Sequence, residues 1–139
     1  MIERVLVATD GSEMAEHALE YALEVHPDAE ITALYVAGEP SPMMGRALKL
    51  ALEDDIEEVA REEAESIFES AREIAAERGV DIDTDVTVGS PAKSIVERSE
   101  NFDAVVLGSH GADLRSRMLM GNVAERVVRG SPVPVTVVR

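Results

Sequence analysis

Between Gly108 and Val123 the chain reads GSHGADLRSRMLMGNV, with glycines at Gly108, Gly111 and Gly121 separated by two residues and then nine. The chemistry open to such a stretch is anion binding. Glycine lets backbone approach a ligand closely, and a helix opening after Gly121 would offer free N–H groups and the positive end of its dipole to a phosphate. Arg115 and Arg117 fall inside the nine-residue spacer and give the local field the sign an anion needs. They also suit an exposed loop pair. His110 is a candidate phosphate contact, with a polar turn residue as the competing reading. Spacing alone leaves a second account of the glycines, in which Gly108 and Gly111 shape a tight turn and Gly121 is a loop hinge.

Other chemistries find less support. The chain has no Gly-x4-Gly-Lys-Ser/Thr phosphate loop and no Gly-x-Ser-x-Gly nucleophile elbow. It has no Cys, which excludes thiol catalysis, a disulfide scaffold and Cys-ligated metal, and fits a reducing compartment. No His/Asp/Glu cluster shows metal-ligand spacing, and His17 and His26 read as surface residues. An amide-lined phosphate site without a positioned base binds a nucleotide better than it hydrolyses one. The expectation is a binding protein with no catalytic residues. Slow hydrolysis of a phosphate ligand stays open, with no general base to assign.

The elements that must hold these residues follow from hydrophobic periodicity. Arg4–Thr9, Ile31–Val36, Ala104–Leu107 and Val133–Val138 are short apolar runs, read as buried strands. Ile82, Thr84, Val86 and Val88 alternate with polar residues, the pattern of a half-buried strand at a sheet edge. Ser12 can N-cap a helix bearing Ala15, Ala18, Leu19, Ala22 and Leu23, which Pro27 stops. Ala37–Lys49, with Gly38, Pro40, Pro42 and Gly45 around Met43 and Met44, reads as a loop. From about Glu53 to Arg78 an apolar stripe (Ile56, Val59, Ala60, Ile67, Ala71, Ile74, Ala75) predicts a helix ending at Gly79. Ser90 and Pro91 open a short helix through Ile95 and Val96. Val123, Ala124, Val127 and Val128 mark a last one. Strands alternating with helices predict one α/β domain over residues 1–139, a doubly wound parallel sheet with helices on both faces. In such a sheet ligands bind beyond the C-terminal strand ends, which puts Thr9-Asp10-Gly11, Val36-Ala37-Gly38, Val88-Gly89-Ser90 and Gly108-Ser109-His110-Gly111 at the place to inspect.

Charge narrows the partners. Thirteen Lys and Arg against 28 Asp and Glu give a net charge of −15 over 139 residues. A field of that sign repels nucleic acid and anionic membrane. No apolar run approaches a bilayer span, and Met1-Ile2-Glu3-Arg4-Val5 lacks a signal-peptide pattern, so a cytoplasmic location is expected. Eleven acids fall between Glu53 and Glu77, read as a solvated helix face. The size of the excess suits a protein of concentrated salt, where self-repulsion is screened, and points to a halophilic source.

From RVLVATDGSE to GNVAERVVRGSPVPVTVVR the chain resembles the universal stress protein (UspA-like) family over essentially its whole length. The most specific match is the family's nucleotide signature, Gly-x2-Gly-x9-Gly followed by Ser or Thr. Asp10 at the start and Pro132-Val133-Pro134-Val135 at the end join it. The resemblance implies a five-stranded parallel sheet in the order 3-2-1-4-5 and a homodimer acting in regulation or protection under stress. It also implies bound ATP, or AMP or ADP, with Mg2+ or Mn2+. By position, Ala8, Thr9 and Asp10 would line the adenosine pocket, with Asp10 near the ribose or base and Val36 on the adenine. Gly108, Ser109, His110 and Gly111 would approach the ribose and α-phosphate, and Gly121, Asn122 and Val123 would offer amides to the β- and γ-phosphates. Asn122 departs from the pattern: it keeps a donor and can N-cap, but lacks the hydroxyl.

Met118 and Met120, like Met43 and Met44, read as packing residues, or as parts of a cover over the adenine. The fifth strand would be an uncharged edge, with Val133, Val135 and Val137 on one side, and would pair antiparallel with a second copy. The rival reading is a dimerising interaction module that binds no nucleotide.

Overall fold

The computed structural model describes the backbone of residues 1–38, 46–110 and 120–139, and the side chains of these apart from 46–57. Along the chain run β1 (Arg4–Ala8), α1 (Glu13–Val25), β2 (Glu30–Ala37), α2 (Arg46–Glu77) and β3 (Asp83–Val88). Then follow α3 (Pro91–Ser99), β4 (Ala104–Gly108), α4 (Asn122–Gly130) and β5 (Val135–Val138). All strand pairs are parallel, in the order β3-β2-β1-β4-β5. The predicted fold and strand order are those observed.

Strand side chains alternate between two cores. Val5, Val7, Ile31, Ala104 and Val106 pack with α1 and the end of α2, while Leu6, Leu34, Val105 and Leu107 pack with α3 and α4. Burial on both faces explains why the inner strands read as continuous apolar runs. In α1 all five anticipated positions are buried, and the Ser12 hydroxyl accepts from the Ala15 N–H at 3.2 Å.

Four sequence expectations need correction. α2 starts at Arg46, so Arg46–Lys49 are helical and not loop. Gly45 is the last chain breaker before Arg-Ala-Leu-Lys-Leu-Ala-Leu, a run of strong helix formers. The buried line of α2 follows Ala60, Ala64, Phe68, Ala71 and Ala75, whereas Val59 is half exposed. Val59 lies about 100° round the helix from Ala60, at the margin of the stripe. At its other end Gly79 adopts φ +72° and the Val80 N–H donates to the Ala75 carbonyl, closing the helix as expected.

β5 begins at Val135, which leaves Val133 outside it. Pro134 has no N–H to give the ladder, although its carbonyl already accepts from Val105. Ser90 occupies the N-cap of α3 without a side-chain hydrogen bond, and Pro91 sits at the helix start. In α4 only Ala124 and Val127 are buried, while Val123 and Val128 are exposed. Met43 and Met44 lie outside the described residues.

Candidate functional site

The C-terminal ends of β1, β2 and β4 open onto a cavity of about 540 Å³. That volume lies within the range of small-molecule sites. β1 contributes Ala8, Thr9 and Asp10, and β2 contributes Val36 above Leu34. From β4 and its extension come Leu107, Gly108 and His110, and the start of α4 supplies Gly121, Asn122 and Val123. Nine of the eleven anticipated positions thus surround one space. Ser109 does not line it, and Gly111 lies outside the described residues, as do Arg115, Arg117 and Met118.

The cavity has an apolar floor and a polar wall. Leu34, Ile95 and Leu107 are buried in the α3/α4 core and also border the space, giving a flat aromatic ligand an aliphatic bed. Leu34 and Leu107 were not singled out from the sequence, although alternation along β2 and β4 puts them on the face of Val36. Ile95 and Pro91 reach the cavity from α3, which only the packing of that helix reveals. Met120, expected to pack, is instead 42% exposed at the rim.

On the wall, Gly121 is the N-cap of α4 and has no side chain to cap it, and among the described residues no side chain accepts from the first amides of the helix. Asn122 is the first helical residue and not the cap. The Asp10 carboxylate accepts from the Ser12 N–H at 2.9 Å, shaping the turn in which Gly11 takes φ +80°. Among the described lining residues Asp10 alone is formally charged. Nearby, burial raises the Tyr35 phenol above its ordinary pKa, helped by its 3.2 Å hydrogen bond to Glu63. That bond ties α2 to β2 and leaves Tyr35 outside the cavity.

The glycines acquire a physical reason. A Cβ at Gly108 would fall 2.6 Å from the Met14 Cγ and 3.2 Å from its carbonyl oxygen. One at Gly121 would fall 3.0 Å from the Ser109 oxygen and 3.3 Å from the His110 Cα. Both positions are small because protein meets protein there. Gly108 lets α1 close on β4, and Gly121 lets α4 start against the β4 extension, its N–H donating to the Ser109 carbonyl.

Ser109 is held on every side. Its N–H donates to the Val138 carbonyl at 2.8 Å, and its hydroxyl lies 2.9 Å from the His110 Nδ1.

A model of the universal stress protein family matches residues 1–139, the whole of the chain. The chain belongs to that family. A universal stress protein of Methanocaldococcus jannaschii, MJ0531, is 37% identical over 145 residues, spanning 100% of this chain and 83% of the relative. The solved structure of MJ0577, another archaeal universal stress protein, superposes with a TM-score of 0.77 at 29% identity, covering 99% of this chain and 96% of the other. A universal stress protein crystallised in complex with cAMP has the same fold, with a TM-score of 0.73 at 24% identity over 99% of this chain and 97% of that one.

Proposed function

We propose that this universal stress protein binds an adenine nucleotide, ATP in the first place, in the cavity at the strand ends. The observation that carries the reading is the pairing of an aliphatic floor with helix amides left without a side-chain cap. A base would lie on Leu34, Val36 and Ile95, with Asp10 and Thr9 at the ribose. Phosphates would turn to the Asn122 and Val123 amides, where the helix dipole favours negative charge, since the anticipated Gly121 N–H is already given to the Ser109 carbonyl. That a relative of the same fold holds cAMP supports an adenine ligand in this architecture.

The residues fit a metal only through the ligand. Among the described residues no group of three or more His, Asp or Glu could hold an ion. Mg2+ or Mn2+ would therefore be carried by the phosphates and offset their charge beside Asp10. The chain's own part is to bind and orient, and no side chain is assigned as a base for hydrolysis. The −15 charge supports a halophilic origin and, with the absence of Cys, a cytoplasmic setting. Among the described residues no helix is long and apolar enough to cross a membrane.

The same reading includes a homodimer through β5. The Pro134 and Val138 carbonyls accept from β4, so alternation turns the N–H and C=O of Val135 and Val137 to the free edge. Their side chains, with Val133, pack on the α3/α4 core. An acidic substitution at Val137 would therefore damage the monomer, and Val137→Pro, which removes one edge donor, is the cleaner probe. In high salt it should elute as a folded monomer where the wild type is a dimer.

Calorimetry with ATP, ADP, AMP and adenosine, beside mass spectrometry of any ligand released on denaturation, tests the nucleotide site. Binding of a nucleotide more tightly than of adenosine is expected. Failure of all four, with nothing released, would leave the interaction module as the better account.

A further inference from the structure

His110, which the family resemblance places near the ribose and α-phosphate, carries a feature that the resemblance does not explain. It borders the cavity, and its Nε2 is buried without a hydrogen-bond partner, the one such side-chain atom among the described residues. An unmet buried polar group is costly unless something else satisfies it. The other ring nitrogen, Nδ1, lies 2.9 Å from the hydroxyl of Ser109, a residue only 3% exposed.

Two proton arrangements fit that contact, and they differ in what they leave unmet. If Nδ1–H donates to the serine oxygen, the buried serine hydroxyl hydrogen has no described acceptor and Nε2 is a second unmet atom. If the serine hydroxyl donates to Nδ1, both of those groups are satisfied and only Nε2–H remains. The second arrangement leaves one orphan where the first leaves two. Ser109 is well placed to enforce it, since its backbone is fixed at both ends by Val138 and Gly121.

The geometry points to Ser109 as a positioning residue that holds His110 as the Nε2–H tautomer, a donor reserved for an anionic oxygen of the ligand. The chemistry of the wall selects that oxygen. His110 sits against the α4 N-terminus, where a Cβ on Gly121 would come within 3.3 Å of its Cα. Helix amides and Nε2–H are all donors, and a phosphate oxygen is the acceptor that takes several at once. The inference rests on the nucleotide reading for the identity of the ligand, and on the Ser109–His110 pair alone for the tautomer.

The two parts separate experimentally. Long-range 1H–15N spectra of the imidazole at pH 8, without ligand, should show the Nε2–H form in the wild type and a mixture in Ser109→Ala. A wild-type spectrum of the Nδ1–H form, or one unmoved by Ser109→Ala, overturns the positioning role. Affinities for AMP, ATP and adenosine then test the donor. His110→Phe should weaken both nucleotides about tenfold or more and adenosine less than about twofold, as expected for loss of one hydrogen bond to a charged group. His110→Gln, which can return an N–H near the same place, should recover most of the loss. An equal loss for adenosine overturns the phosphate role. So does a wild type that binds none of the three, which also removes the nucleotide reading while the spectra still decide the tautomer.

Discussion

The two ends of the sheet are built from the same strands and treated in opposite ways. At the N-terminal end, one carboxylate oxygen of Asp103 accepts from the Glu3 and Arg4 N–H groups at 2.9 and 3.0 Å. The Arg4 guanidinium lies 4.8 Å from the Phe102 ring centre and donates to the Asn101 carbonyl. The Asp103 and Glu30 amides close the remaining gaps by donating to Arg4 and Glu3 carbonyls. At the C-terminal end, among the described residues, the amides of α4 lack a side-chain cap and the His110 Nε2 lacks a partner. One end satisfies itself, and at the other the described residues leave part of the polar wall without a partner. An unmet buried polar atom is a cost to folding, and among the described residues the one such side-chain atom borders the cavity where binding is proposed.

Substitutions can break that contrast. The largest effect should come from Gly108→Val, which drives a branched side chain into Met14 on α1. Chemical denaturation should register a loss of about 3 kcal/mol, the scale of severe overpacking. A loss under ~1 kcal/mol would mean that α1 gives way and that the glycine serves the ligand instead. Next is salt: melting should rise by roughly 5 °C or more between dilute and molar KCl as the net charge is screened. An unchanged melt would detach the acid excess from stability.

Asn122→Pro sharpens the comparison by deleting one cavity-end donor without touching the fold. Proline suits the first helical position, and the preceding Gly121, at φ −65° and ψ 160°, already has the conformation a following proline demands. Calorimetry should show ATP binding about tenfold weaker with the melting point unchanged, the effect of one lost charge-assisted hydrogen bond. The smallest effect belongs to the closed end. Backbone hydrogen bonds from Glu3 and Arg4 hold the Asp103 carboxyl below its ordinary range. Its stabilisation is therefore complete above the ordinary carboxylate pKa and fades as pH falls through the lowered one. Asp103→Asn should melt slightly lower at pH 7, with the difference from wild type vanishing in strong acid.

How much of this is legible in the sequence differs by residue. The five strands and the buried face of α1 follow from periodicity, because a face packed on one side leaves a regular trace. The edge position of β3 follows from Asp83 and Asp85 for the same reason. Ala64 escapes because it sits between Glu63 and Glu65, and an alanine between glutamates carries little hydrophobic signal, while Phe68 is hidden beside Ile67, which competes for the same turn of the stripe. The strand-end members of the site are legible from topology together with family likeness. Its aliphatic floor is not, since Leu34 and Leu107 look like any core residue until the space above them is seen. Gly108 and Gly121 are visible as spacing, but their cause is not: Met14 and Ser109, the atoms that forbid a side chain, lie far from them in sequence or across a turn. The Ser109–His110 contact joins neighbours in sequence, yet its burial comes from the sheet around it.

The two margins of the sheet set how far it could ever be extended. β3 presents Asp83 and Asp85, the second engaged by Arg98, whereas β5 presents Val135 and Val137 and no charge before Arg139. Growth by strand addition needs two receptive margins, one to join and one to be joined, and this sheet has one. In the proposed dimer, a second copy meeting β5 antiparallel across a two-fold axis would consume the receptive margins of both chains and show carboxylates on each outer side. Strand addition in that proposed arrangement would stop at a count of two, which would deny the apolar border strand a route to a filament.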